Sequence, residues 1–214
     1  RDAQESRGLG DVYKRQMQTE AIFRSAIKLH QEGIKIKPEI MIPLIADEKE
    51  LEFVKSYLTE HIQYIFREHK QEPFPYEIGT MIELPRACLT ADKLAQEADF
   101  YSFGTNDLTQ MTYGFSRDDI GKFIGHYKKM SILSSDPFQH IDQEGVGELM
   151  RIAISKARQV KPNLSIGICG EVGGDPSSIS FFQEIGVTYV SCSPYRVPAA
   201  RLAVAQAAFE ENKD

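Results

Sequence analysis

The chain has 214 residues, 42% of them hydrophobic, and a formal net charge of −6. This length suits one sizeable core but falls short of the usual span of a complete eight-stranded α/β barrel. The negative charge argues against a surface for nucleic acid or an anionic membrane, because phosphate-rich partners bind clustered Lys and Arg. No long apolar run predicts a membrane span. Three cysteines without metal-ligand spacing indicate a reducing compartment, by default the cytoplasm, with an organelle as the alternative.

The start of the chain differs in character from the rest. Residues 1–16 are polar and lack apolar periodicity, so we interpret them as a foreign or disordered leader and residues 17–214 as the folded domain. From Met17, apolar residues recur at helical spacing as far as Leu29, and Gly33 is a typical helix stop. The domain is therefore predicted to begin with a helix.

Beyond Gly33, short β-rich apolar runs alternate with amphipathic helices. Each of the five runs is tied to a helix, which predicts right-handed parallel crossovers and an α/β fold, either an open doubly wound sheet or part of a closed barrel. A longer insertion, residues 109–142, separates the third unit from the fourth. The predicted strands are residues 39–44, 77–83, 100–103, 165–169 and 187–192.

The helix signals are local. Residues 51–62 place apolar side chains on one face of a predicted helix. A later helix is predicted to begin near Pro85, because the amide hydrogen that proline lacks would have no partner in the first turn of a helix. Asp175 is a candidate N-cap with Pro176 at the first helical position. A final Ala-rich helix is predicted from Pro198.

Polar residues follow the carboxyl ends of three predicted strands. Glu83 ends the second run, Asn106 and Asp107 follow the third, and Cys169 closes the fourth. In a parallel barrel such strand ends share one rim, so these side chains are expected to lie together. Glu83 and Asp107 are hard oxygen ligands suited to Mg²⁺. The alternative is that either acid caps a helix or accepts from loop amides.

Two further features lie at the same predicted rim. Gly104, Thr105 and Asn106 form a turn that can present backbone donors to an anion. Cys169 is followed by a glycine-rich stretch that permits close approach of a ligand to the backbone. The alternative for a lone cysteine is an inert packing residue.

Other chemistry-bearing residues carry weaker signals. Cys88 and Cys192 are assigned to packing, and the histidines to loops or surface because they lack metal-ligand spacing. Arg86 and Arg117 stay unassigned, because solvated arginines are commoner than anion ligands.

Several of these runs resemble the motifs of the phosphoenolpyruvate-utilising enzymes. The family motifs are residues 78–87 (IGTMIELPRA), 103–110 (FGTNDLTQ) and 167–171 (GICGE). Residues 114–119 (GFSRDD) and 190–202 (VSCSPYRVPAARL) resemble the pyruvate phosphate dikinase branch of that family. The resemblance covers the chain from Met17 to about Phe209.

The resemblance implies a partial (β/α)8 TIM barrel that keeps about the last five βα units. It also implies that Glu83 and Asp107 hold Mg²⁺ and that Cys169 delivers or removes a proton at the methyl carbon of the substrate. The residues implied to bind pyruvate or phosphoenolpyruvate are Glu83, Gly104, Thr105, Asn106 and Asp107.

For the parent enzyme, the resemblance implies the conversion of ATP, phosphate and pyruvate to AMP, diphosphate and phosphoenolpyruvate. It further implies separate phosphohistidine and ATP-binding domains and a homodimer, so the chain alone is expected to be inactive. Two alternatives stay open. One is a relative of phosphoenolpyruvate synthase or of the first enzyme of the sugar phosphotransferase system, and the other is a non-catalytic binding or dimerisation fragment.

Overall fold

The computed structural model describes residues 12–211, and it opens with a long helix, α1 (Val12–Gln31). The predicted first helix and its stop are confirmed, since Gly33 follows with φ +82°. The helix begins five residues before Met17, and Gln16 accepts a hydrogen bond of 2.6 Å from the Tyr57 hydroxyl. The residues before Val12 lie outside the described part, so a leader and the division at residue 16 stay predictions.

A five-stranded parallel sheet forms the centre of the fold, with strands in the order β1-β2-β3-β4-β5. The strands are β1 (Glu39–Ile42), β2 (Glu77–Ile82), β3 (Phe100–Gly104), β4 (Ser165–Cys169) and β5 (Tyr189–Val190). Their spatial order follows the chain without the reversal of a doubly wound sheet. The α/β prediction is confirmed, and of its two forms the sheet is consistent with part of a TIM barrel.

Helices follow the strands and cover one face of the sheet. The predicted capping of the helix after β4 is confirmed, because Asp175 accepts from the Ser178 amide at 3.0 Å and Pro176 occupies the first turn. The helices are α2 (Glu48–Glu68), α3 (Pro85–Leu89), α4 (Ala91–Glu97), α5 (Thr105–Tyr113), α6 (Ile124–Lys129), α7 (Val146–Val160), α8 (Pro176–Glu184) and α9 (Val197–Glu211). Short 3-10 turns occupy Ile120–Lys122, Glu171–Gly174 and Pro194–Arg196.

Several predicted boundaries were wrong by a few residues. The first strand stops at Ile42 because Pro43 has no amide hydrogen and Leu44 adopts φ +58°. The last strand comprises only Tyr189 and Val190 rather than residues 187–192. The helix predicted from Pro85 is two short helices that meet at Thr90.

The two faces of the sheet carry different sets of side chains. The face under the helices carries large buried residues such as Ile82, Tyr101 and Phe103, each 0% exposed. The opposite face, which would line a barrel, carries Gly104 and Gly167 as well as larger residues such as Met81 and Phe100. The two glycines leave room for the longer side chains that form the site described below.

The insertion between β3 and β4 has an aromatic cluster of its own. Phe115 lies 5.0 Å from Phe123 and 6.1 Å from Tyr127 between ring centroids. Within residues 12–211, no helix combines the length and the apolar composition needed to cross a bilayer.

Candidate active site

Glu83 stands at the carboxyl end of β2 in a fixed orientation. It is 3% exposed, and its Oε1 accepts a hydrogen bond of 2.7 Å from the Leu44 amide. Leu44 adopts φ +58°, a conformation that is unusual for a leucine and is found where the surroundings impose it. A Cβ at Gly104 would lie 2.6 Å from Glu83 Oε2. The absence of a side chain at Gly104 therefore lets Glu83 lie across β3.

The first turn of α5 follows β3 directly and brings three predicted residues to the same rim. Thr105 is 1% exposed and donates to the Cys169 carbonyl at 2.9 Å, which links the ends of β3 and β4. Asn106 Oδ1 is shut off from solvent and has no hydrogen-bond partner among residues 12–211. Asp107 is half-buried in the same turn. A buried acceptor without a partner costs stability unless a ligand satisfies it.

Cys169 ends β4 and faces the acids. Its thiol donates to the Phe103 carbonyl at 3.4 Å, a normal distance for sulfur. Burial raises the pKa of the thiol, a hydrogen bond from Ser102 opposes the rise, and the charges of Glu83 and Asp107 add to it. The fold therefore brings the thiol and both predicted carboxylates to one place, although their chemical roles stay predictions.

Two residues that the sequence analysis missed belong to this rim. Ser102 is 2% exposed and interacts with both the Cys169 thiol and the Tyr189 phenol. The Tyr189 ring lies against Gly167, where any side chain would collide with it. Strand alternation offered a signal for Ser102, because it lies two residues before Gly104 and shares its face. Tyr189 had no such signal, because its partner depends on the β4–β5 register.

A cavity of about 570 Å³ lies beside the glycine-rich loop that follows β4. Arg117, unassigned from sequence, donates to Glu171 Oε1 at 2.7 Å, and Arg196 donates to the Glu171 carbonyl at 2.9 Å. His140 Nδ1 lies 3.2 Å from Asp175 Oδ2. The insertion, the β4 loop and the segment after β5 thus meet next to the predicted site.

The oxygen donors at the rim are compatible with Mg²⁺ but do not enclose it. Among the described side chains, no group of three or more His, Cys, Asp or Glu is arranged to hold a metal ion. Mg²⁺ usually takes one or two carboxylates and completes its shell with water and substrate oxygens. Glu83 and Asp107, with the unpartnered Asn106 Oδ1 next to Asp107 in sequence, fit that requirement.

The remaining cysteines stand apart from this arrangement. Cys88 is fully buried, and burial raises its pKa to about 12. Cys192 is half-buried and lines an apolar groove with Val197 and Val204 on α9. These surroundings are those of packing residues.

Comparison with known proteins matches residues 8–209 to one family, "PEP-utilising enzyme, PEP-binding domain". The chain is 58% identical over 193 residues to a pyruvate, phosphate dikinase of Clostridium symbiosum, covering 90% of this chain and 22% of the relative. It is 53% identical over 191 residues to a chloroplastic pyruvate, phosphate dikinase of Mesembryanthemum crystallinum, covering 89% and 20%. The chain thus spans about a fifth of the length of these relatives.

Among solved structures, a citrate lyase from Burkholderia xenovorans LB400 superimposes with a TM-score of 0.50 at 15% identity. The match covers 78% of this chain and 48% of the other. At this identity the likeness concerns the fold alone.

Proposed function

Because the chain belongs to the phosphoenolpyruvate-utilising enzymes through their PEP-binding domain, we propose that it carries the pyruvate and phosphoenolpyruvate half-site of a pyruvate phosphate dikinase. The observation that supports this proposal best is the meeting of Cys169 with Glu83 and Asp107 at the carboxyl ends of β2 to β4. A proton donor next to oxygen ligands for a divalent metal is what interconversion of an enol phosphate and a ketone requires.

The substrate is proposed to lie over the end of β3. Glu83 and the turn of Gly104, Thr105, Asn106 and Asp107 line this position. Asn106 Oδ1 lacks a partner within residues 12–211, so a water molecule bound beside the substrate would supply the missing donor. Thr105 is engaged with the Cys169 carbonyl, which fixes the turn rather than leaving its hydroxyl for a ligand.

Glu83 and Asp107 are the proposed holders of Mg²⁺. The ion would supply positive charge next to the substrate oxygen on which negative charge develops when the phosphoryl group leaves. The orientation of Glu83 is set in advance, because the Leu44 amide occupies Oε1 and Oε2 lies over Gly104. Such fixed ligands reduce the reorganisation needed at the moment of reaction.

Cys169 is the proposed proton carrier at the methyl carbon. When phosphoenolpyruvate gives up its phosphoryl group, the enolate takes the thiol proton at carbon, which yields pyruvate and a thiolate. The raised pKa of Cys169 keeps the thiol protonated at neutral pH, as this direction requires. In the reverse direction the thiolate removes a methyl proton, and positive charge near Glu83 and Asp107 would lower the thiol pKa for that step.

The overall reaction from ATP, phosphate and pyruvate involves groups beyond this half-site. We propose that the chain works with a phosphohistidine domain and an ATP-binding domain of a longer enzyme, as expected for a segment spanning about a fifth of its relatives. The chain by itself is expected to show no overall turnover.

A chimera tests the proposal. Residues 17–214 replace the matching segment of an active dikinase, and two activities are measured: diphosphate-dependent formation of pyruvate from phosphoenolpyruvate, and exchange of the pyruvate methyl protons with solvent. Both are expected in the parent chimera and both are expected to be lost in Cys169→Ala. Cys192→Ala is the matched control, since Cys192 lies in the apolar groove beside α9, and it should keep both activities.

Two outcomes would refute parts of this proposal. Undiminished methyl exchange in Cys169→Ala would remove the thiol from the mechanism. A chimera that folds with the circular dichroism of the parent but has neither activity would favour the alternative of a non-catalytic binding fragment.

A further inference from the structure

The loop that follows Cys169 is held in an unusual backbone conformation. Gly170 adopts φ +114° and ψ 179°, a backbone conformation that residues other than glycine rarely adopt. A Cβ at Gly170 would collide with Thr105 Oγ1, and one at Gly173 with the Ser191 carbonyl. The loop therefore packs tightly between the end of β3 and the segment that follows β5.

Glu171 connects this loop to two other segments. Its Oε1 accepts from Arg117 at 2.7 Å, and its carbonyl accepts from Arg196 at 2.9 Å. Arg117 belongs to the insertion after α5, and Arg196 to the 3-10 turn after β5. The second carboxylate oxygen, Oε2, is shut off from solvent and has no hydrogen-bond partner in the described part of the chain.

The Arg117 and Glu171 side chains are 50% and 41% exposed, yet one carboxylate oxygen of Glu171 is shut off from solvent. A pair on an exposed surface contributes little to stability and leaves both carboxylate oxygens in water. Glu171 buries one carboxylate oxygen, accepts from Arg117 at the other, and accepts from Arg196 at its backbone carbonyl. Only one residue separates these contacts from Cys169.

We propose that Glu171 is a positioning residue: its carboxylate, bound to Arg117, together with its backbone carbonyl, bound to Arg196, holds the Cys169–Gly170 peptide and so sets the thiol against Asn106 and the acids. The effect of this positioning on catalysis rests on the proposed function. The positioning of the thiol can be measured in this chain without it. The contacts of Glu171 reach Cys169 through the loop backbone, because only Gly170 separates the two residues.

The rate of Cys169 alkylation in the full 214-residue chain measures this positioning directly. Iodoacetamide is added at about pH 8 and each cysteine is quantified by peptide mass spectrometry. Glu171→Ala is expected to speed alkylation of Cys169 by about three- to fivefold, the factor by which loss of one ion pair shifts a local opening equilibrium. Glu171→Gln retains an acceptor for Arg117 and should restore most of the wild-type rate.

Three internal standards separate positioning from general loosening. Cys88 is fully buried and should stay unreactive in every variant, while the Cys192 rate should stay unchanged. Glu184→Ala removes a comparable ion pair, Arg151 to Glu184 at 2.8 Å, away from the loop, and should leave Cys169 unaffected. An unchanged Cys169 rate in Glu171→Ala would overturn the proposal, and so would equal acceleration of all three cysteines.

The dikinase chimera adds the catalytic readout. Positioning predicts that Glu171→Ala lowers kcat for methyl-proton exchange while the KM for pyruvate is kept, because the proposed substrate ligands are untouched. Altered Cys169 alkylation together with an inactive parent chimera would refute the proposed function and leave the positioning role standing. An active chimera in which Glu171→Ala changes neither kcat nor alkylation would refute the positioning role alone.

Discussion

Among single substitutions, Gly170→Ala should perturb the candidate site most, although it adds only one methyl group. Gly170 lies between Cys169 and Glu171 with φ +114° and ψ 179°. The added methyl group would collide with the Thr105 hydroxyl, which donates to the Cys169 carbonyl at 2.9 Å. The change therefore strains the backbone and displaces the hydrogen bond that joins the ends of β3 and β4.

The expected loss of stability is the sum of these two effects. Holding alanine in a backbone region used almost only by glycine costs about 1–3 kcal/mol. Loss of the hydrogen bond from Thr105 adds about 1 kcal/mol. The free energy of unfolding is thus expected to fall by about 2–4 kcal/mol, with all of the strain located at the candidate active site.

Two other glycines provide matched controls for urea unfolding followed by circular dichroism. Gly33 has φ +82° with no atom within 4 Å of an added Cβ, so Gly33→Ala should cost about 1 kcal/mol from backbone conformation alone. Gly121 has neither feature, so Gly121→Ala should stay within about 0.5 kcal/mol of the wild type. All three substitutions change the unfolded chain alike. A cost at Gly170 no larger than that at Gly33 would refute the collision argument.

Three further predictions concern the core, a helix cap and pH. Phe23 is 0% exposed, so Phe23→Ala should lower the free energy of unfolding in urea by about 3–5 kcal/mol. Phe53 is 50% exposed, so Phe53→Ala should lower it by under about 1 kcal/mol. Equal losses would contradict the described packing. Asp175 caps α8, so Asp175→Ala should cost about 1–2 kcal/mol and Asp175→Asn much less, and an Asn variant as unstable as Ala would argue against a capping role. Burial raises the pKa of Cys88 from 9.0 to about 12. Between these two pH values the folded state keeps a proton that the unfolded chain loses, so the free energy of unfolding should fall by about 1.4 kcal/mol per pH unit. Cys88→Ala should fall less steeply there, and an identical slope would show that Cys88 does not titrate as described.

Local sequence patterns accounted for most of the architecture. The fourth strand matches its prediction, Ser165–Cys169, and the cap at Asp175 followed from a side chain that bonds to its own helix. Prediction was poorer where tertiary contacts override propensity. The apolar run 187–192 predicts six strand residues, yet only Tyr189 and Val190 pair as β5, with β4.

The candidate site shows the same division. Glu83, Asp107 and Cys169 were predictable because each lies at the end of a strand or just after it, and the ends of parallel strands share one rim. Their separation along the chain did not matter, since the topology alone brings them together. Ser102 and Tyr189 were not predicted, because their roles depend on which residues face each other across β3, β4 and β5.

The sequence by itself thus determined the alternation of strands and helices and the set of acids and the thiol at one end of the sheet. The physical reason is that hydrophobic periodicity and capping act over a few residues. Only the tertiary structure decided that Tyr189 packs on Gly167 and that Glu171 links Arg117 to Arg196. Those contacts join segments far apart in the chain, so they depend on strand register and loop paths that no local pattern specifies.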